Sequence, residues 1–316
     1  MNGARRVFAA AVVLVASPAF GYAPARLLCT LHDPRITESS GVASGRDDVF
    51  YTHNDSGDAA RYFVFDRTCR VRAVHTLRGV DAVDWEDMAR GPAADGTSAL
   101  WFADIGDNAA RRTRVVLYVV PEPDAATPEA QKATAVRLTY DDGPHNAEAL
   151  LVDPVTGTPV VVTKSLRGVT GVYVPTGSVL HRVAQLPQRA VTGADWSPDR
   201  SRLVIRTYTD AYEWMVPAGA NDTATTLARA LAVAPRVIPL PAGQGEAIAY
   251  TNDGRALVVT AEGSDAPVHL LDAVPDAATA PDRVEPVGRA VPWRALLAGG
   301  VLVAGAGYAI LRRRTR

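Results

Sequence analysis

One short phrase recurs about five times along the chain: a polar or acidic residue, a spacer, apolar residues and then a turn. The copies are Ser40-Gly41-Val42-Ala43, Glu86-Asp87-Met88-Ala89, Glu148-Ala149-Leu150-Leu151, Thr192-Gly193-Ala194-Asp195 and Glu246-Ala247-Ile248-Ala249. Their lead residues lie 46, 62, 44 and 54 positions apart. Between them run short apolar segments, such as Val49-Phe50-Tyr51-Thr52 and Val160-Val161-Val162-Thr163, bounded by Gly, Asp, Asn and Pro. Short strands in units of roughly 40–50 residues are the signature of a β-propeller. The chain therefore reads as all-β.

The units hold about four strands each, and the last runs out early. It shows Ala256-Leu257-Val258-Val259-Thr260 and Val268-His269-Leu270-Leu271 before a Pro- and Ala-rich stretch begins. An isolated strand near Arg26 to Asp33 precedes the first unit. If it completes the last unit, the ring closes and no edge stays unpaired. The expectation is a five-bladed propeller closed by an N-terminal strand. Six blades are the alternative, if the proline-rich stretch or the long segment from Pro121 to Lys132 hides strands. The latter segment has room for a helical turn, and so has the stretch from Ala220 to Val233.

The ends read as export and anchoring signals. Residues 1–21 have Arg5 and Arg6, an apolar centre and small residues at Ala19 and Gly21, as a secretory signal does. An uncleaved anchor helix is the alternative. Residues 275–294 read as a stalk punctuated by Pro275, Pro281, Pro286 and Pro292. Residues 295–311 form 17 uncharged residues, just enough to span a bilayer, with arginines in the tail 312–316. The positive-inside rule keeps that tail cytoplasmic and leaves the ectodomain, residues 22–274, outside a single-pass cell membrane anchor.

The formal charge of −1 hides an asymmetry, because the part between the two ends carries 26 basic and 34 acidic residues. An acidic body argues against nucleic-acid binding, which needs a basic face. It suits a holder of divalent cations. Cys29 and Cys69 are the only cysteines. Outside the cytoplasm they are expected to pair, with two buried thiols as the alternative.

In a propeller the first strand of each blade lines the central channel. Ser40, Glu86, Glu148, Thr192 and Glu246 then face one another, and three carboxylates there need protons or a cation. An all-oxygen set suits calcium, which takes 6–8 oxygens at flexible angles. A water-filled channel is the alternative. The loops near the same mouth offer His53, Asp104, His145, Lys164, Arg206 and Glu262 as ligand-binding candidates. Asp55 and Asp107 are candidate general bases. Carboxylates beside a cation, with Lys164 and Arg206 opposite, suit a small anion.

Four phrases carry a resemblance: Thr52-His53-Asn54-Asp55-Ser56-Gly57, Asp84-Trp85-Glu86-Asp87-Met88-Ala89, Asp104-Ile105-Gly106-Asp107-Asn108 and His145-Asn146-Ala147-Glu148-Ala149-Leu150. They resemble exported actinobacterial propeller proteins of unsettled function. The Ser–Glu–Glu–Thr–Glu order of lead residues also looks like the central calcium ring of five-bladed calcium-activated nucleotidases (apyrases), where a serine stands at the fourth place. That resemblance implies a central calcium. Three functions follow as expectations: a ligand-binding ectodomain with a calcium, a calcium-dependent phosphohydrolase, and a protein-interaction scaffold whose metal is only structural.

Overall fold

A computed structural model describes residues 20–124 and 130–275. The predicted transmembrane segment, its basic tail, nearly all of the stalk and most of the signal lie outside these residues. Among the described residues no helix is long and apolar enough to cross a membrane. Phe20 and Gly21, the end of the predicted signal, fall in the first strand, β1 (Phe20–Tyr22).

The strands form successive antiparallel groups. After β1 and β2 (Arg26–Leu31), the first group is β3 (Ser39–Ser44), β4 (Val49–Asn54), β5 (Arg61–Asp66) and β6 (Val71–Arg78). The second is β7 (Trp85–Pro92), β8 (Ser98–Asp104), β9 (Val115–Pro121) and β11 (Thr134–Tyr140), with the short β10 (Ala130–Lys132) before its last strand. The third is β12 (Ala147–Val152), β13 (Pro159–Thr163), β14 (Thr170–Thr176) and β15 (Val179–Leu186). The fourth is β16 (Val191–Trp196), β17 (Arg202–Thr207), β18 (Asp210–Met215) and β19 (Arg236–Pro239). A helix, α1 (Thr223–Ala230), sits between its last two strands, and the Asp222 carboxylate caps it by accepting the Thr225 N–H at 2.8 Å. The last group is β20 (Gly245–Tyr250), β21 (Ala256–Ala261) and β22 (Ala266–Pro275).

The strands β3, β7, β12, β16 and β20 neighbour one another in a cycle that returns from β20 to β3. They are buried almost throughout, so they read as near-continuous apolar runs. The outer β6 alternates buried and exposed residues instead. Five hydrophobic clusters fill the gaps between adjacent groups. One of them joins Val42, Phe50 and Phe65 of the first group to Ala247, Val258 and Val268 of the last. A cycle of lead strands, with apolar layers between radiating sheets, is a propeller.

The N-terminal strand closes the ring as expected. β2 pairs antiparallel with β22, from Arg26 opposite Leu270 to Leu31 opposite Ala266. Cys29 on β2 is bonded to Cys69, 40 residues away in the turn between β5 and β6, with Cα atoms 5.6 Å apart. The disulfide ties the closing strand to the first group. The segment from Pro121 to Lys132 holds no described helical turn. Its end, β10, pairs parallel with β6 instead and covers the outer edge of the first group. A second parallel contact, Thr139 and Tyr140 of β11 with Val179 and Leu180 of β15, joins the second and third groups.

Candidate functional site

Every lead residue sits in a β-bulge. Strand register skips Ser40 between Ser39 and Gly41, Glu86 between Trp85 and Asp87, Glu148 between Ala147 and Ala149, and Thr192 between Val191 and Gly193. On β20 it skips both Glu246 and Ala247. A bulge sets two residues against one and re-aims a side chain. The repeated phrase is therefore a repeated bulge, and it turns the lead side chain out of the ladder.

Ser40, Glu86, Glu148 and Glu246 converge on one open cavity of about 210 Å³. Asp55, Asp84, Lys164 and Glu262 line it as well. Thr192 does not. It is buried, and its hydroxyl donates to the Gly245 carbonyl at 3.0 Å. The Ser40 hydroxyl is likewise engaged, donating to the Glu86 carbonyl.

The tightest set of acids lies to one side of the cavity. Carboxylate oxygens of Asp55, Asp84 and Glu86 all lie within 4.8 Å of one another. Asp55 follows β4, and Asp84 enters just before β7. A clasp from the loop after β8 holds Asp84 there. The Asp104 carboxylate accepts the N–H groups of Val83 at 3.3 Å and Asp84 at 3.2 Å, and pairs with Arg112 at 2.8 Å. The Arg112 guanidinium also donates to the Gly106 carbonyl at 2.8 Å, and the Gly106 N–H donates to the Asp84 carbonyl at 3.1 Å. A Cβ at Gly106 would stand 1.9 Å from a Glu86 oxygen and 2.5 Å from an Asp84 oxygen, so a side chain here would displace those two carboxylates.

The charges in this cavity are unbalanced. Glu86 is pushed up to about 11 by burial first, then by Glu148, Asp55 and Asp84. Burial, and next the Glu262 carboxylate, push Glu246 up to about 8 against the pull of Lys164. Asp84 and Glu262 are also raised, each by burial and then by Asp55. Against six carboxylates stands one ammonium, Lys164. It pairs with Glu148 at 3.1 Å and donates to the Tyr208 hydroxyl at 2.9 Å. Burial works to lower its pKa, but Glu148 and Tyr208 outweigh that and hold the amine protonated. The Asn146 amide steadies the other Glu148 oxygen at 3.0 Å.

The remaining candidates lie elsewhere. Arg206 is buried and turned inward, donating to the carbonyls of Ala247 at 2.7 Å, Thr260 at 3.2 Å and Thr207 at 3.2 Å. Burial lowers it to about 10, and Gly245 leaves the room its guanidinium fills. His53 is buried beside Gly41, its Nδ1 donating to the Asn54 carbonyl at 2.8 Å, and burial lowers its pKa. His145 faces Asp142 at 2.8 Å and the Tyr173 hydroxyl at 3.0 Å, away from the cavity. Asp107 fastens its own loop, accepting the N–H groups of Arg111 and Arg112 at 2.6 Å each. Asp84, Ser56, Asn108 and Tyr208 also line the cavity; they lie in loop clusters that patterning put at this mouth without giving them a role, and Gln244 carried no signal.

Next to Glu86, the fully buried Asp87 ties lead strands together. Its carboxylate accepts N–H groups from three lead strands: Met88 at 2.8 Å, Leu150 at 2.9 Å and Ala194 at 3.2 Å. Burial raises its pKa well above the usual carboxylate range, against those three bonds.

No protein-family model matches the chain. Nor does any curated protein. Among solved structures, the chain is similar to a gluconolactonase from Xanthomonas campestris at 15% identity, over 82% of this chain and 99% of that one, with a TM-score of 0.45. An aldose sugar dehydrogenase from Escherichia coli gives 13% identity, 79% and 99% coverage and a TM-score of 0.43. A glucose dehydrogenase gives 11% identity, 78% and 99% coverage and a TM-score of 0.47. None of these three is an apyrase.

Proposed function

We propose that the chain is a five-bladed propeller, exported and anchored by its C-terminal segment, whose acidic mouth binds calcium and presents it to a ligand. The observation that carries this reading is the trio of Asp55, Asp84 and Glu86. Two oxygens bound to one calcium at about 2.4 Å lie no more than about 4.8 Å apart. The trio meets that limit. Its donors are all hard oxygens, the class calcium prefers over softer metals. A side chain on the loop glycine Gly106 would push the Asp84 and Glu86 carboxylates from their present places. Ser56 and Asn108 line the same cavity and supply further oxygens.

In this reading the ion lies nearer the first two blades than the channel axis. Glu148 and Glu246 then act as surrounding charge, and Thr192 takes no part. A bound cation would offset the repulsion that raises Glu86 and Glu246. Six carboxylates facing one ammonium oppose a free phosphate ester, and with Arg206 turned inward the phosphohydrolase reading keeps only Lys164 as a cationic anchor. A ligand whose own oxygens coordinate the calcium fits the mouth better.

Calorimetric titration of calcium into the chelator-treated full chain tests this reading. One site is expected, with affinity lost in Asp84→Asn. Absence of heat and of metal in the wild type would remove the calcium and everything built on it.

A further inference from the structure

The lead strands end on the opposite side of the ring around a second cavity of about 270 Å³. Its character differs from that of the acidic mouth. Pro92, Pro154, Pro198 and Trp196 give it apolar patches within a lining that is more polar than apolar, and Arg90 and Asp195 are among its polar groups. A concave site where polar groups converge beside apolar patches can hold and orient a small molecule.

Both charged groups are held in place. The Arg90 Nε donates to the buried Glu122 at 2.9 Å and Nη1 to Asn252 at 2.9 Å, which leaves Nη2 outside both bonds. Asp195 lies at the end of β16, partly exposed, and accepts the Tyr250 N–H on one oxygen at 2.7 Å.

We propose that this cavity is a second binding site, taking a small monocarboxylate with an apolar body. Arg90 Nη2 donates to the ligand's carboxylate, the protonated Asp195 carboxyl shares its proton with it, and the prolines and Trp196 enclose the body. The charge-assisted bonds supply orientation.

Such binding is linked to pH through Asp195. Burial pushes its carboxyl up to about 7, against the N–H groups of Tyr250 and Trp196 and the charge of Arg90. The groups around it are few. β7 brings Arg90 and Asp87, whose charge would repel that of Asp195. β20 brings Tyr250, whose phenol burial keeps neutral. Val204 of β17 is opposite in register and apolar. The segment after β12 brings Asp153, tied to Arg200 at 2.7 Å. Asp195 is thus the group facing the cavity that changes charge near neutrality.

The test titrates benzoate, with benzamide as its uncharged counterpart, into the full chain at pH 6 and pH 8. Benzoate is expected to bind at pH 6 and about tenfold more weakly at pH 8, as a carboxyl titrating near 7 loses its proton. Asp195→Asn keeps a donor at both pH values, so its affinity should not change between them. Chelator should leave all of this unaltered, because the acidic mouth is the other one. Equal binding of benzoate and benzamide, equal benzoate affinity at both pH values in the wild type, or no benzoate binding at pH 6 would each overturn the proposal.

Discussion

Glu86 and Asp87 are consecutive, both carboxylates and both buried, yet they belong to regions built on opposite rules. Asp87 ties lead strands together, receiving N–H donors from three of them. Glu86 opens the mouth, and what surrounds it is mostly other acids: Glu148, Asp55 and Asp84. The bulge at Glu86 is what lets two successive side chains serve the channel, since unbroken alternation would send them to opposite faces. A buried carboxylate with matched donors is part of the frame. One crowded by like charges is a place where something else is expected to bind.

The sharpest way to break this comparison is to remove each acid in turn. Asp87→Leu strands three buried N–H groups at roughly 1–3 kcal/mol each, so it should destabilise the protein by roughly 3–9 kcal/mol or prevent folding. Glu86→Gln in chelator should cost nothing by urea denaturation and should ease the repulsion. Equal losses in the two variants would mean that both acids are frame.

The disulfide extends the test to stability far from the mouth. Changing both Cys29 and Cys69 to Ser releases a bridge spanning 40 residues. In the chain-entropy model this costs about 3–4 kcal/mol. The loss should be the same with and without calcium, because the bridge lies at the ring closure. A loss that calcium alters would tie the two regions together.

Calcium itself should stabilise the wild type by about 2.7 kcal/mol at a hundredfold excess over Kd. For a domain of this size that is about 5–11 °C in Tm. Asp84→Asn should lose most of that shift, while Thr192→Val should keep it.

The metal-free form should also depend on pH. In the folded chain Glu86 is pushed far above an ordinary 4.5 and Glu246 up to about 8, burial leading in both. Between about 4.5 and 8 the native state therefore holds more protons than the unfolded one, and stability falls as pH rises, by at most about 1.4 kcal/mol per proton per pH unit. In chelator the protein should melt higher at pH 5.5 than at pH 8, and calcium should narrow the gap. A chelated protein that melts higher at pH 8 would contradict the crowding of acids at the mouth.

Much of this was legible in the sequence, and the limits were physical. The recurring phrase located all five lead strands, because near-continuous apolar runs after a polar residue mark strands buried on both faces. The unpaired strand near Arg26 and the two cysteines pointed to the closure. The ring of lead residues was read as symmetric, and that was its weak point. Whether a bulged side chain reaches the cavity depends on neighbours remote in sequence. Thr192 finds the Gly245 carbonyl, and Arg206 finds a cluster of carbonyls that Gly245 makes room for. Asp84 reaches the mouth through a clasp by Asp104, Arg112 and Gly106, whose geometry no spacing encodes.

The most direct measurement is the melting temperature of full-length wild type and Glu86→Gln, each in calcium and in chelator. The account predicts that calcium raises the wild type by several degrees, that Glu86→Gln loses most of this rise, and that in chelator the variant is at least as stable as the wild type. A wild type indifferent to chelator, or a variant that keeps the full calcium shift, would contradict it.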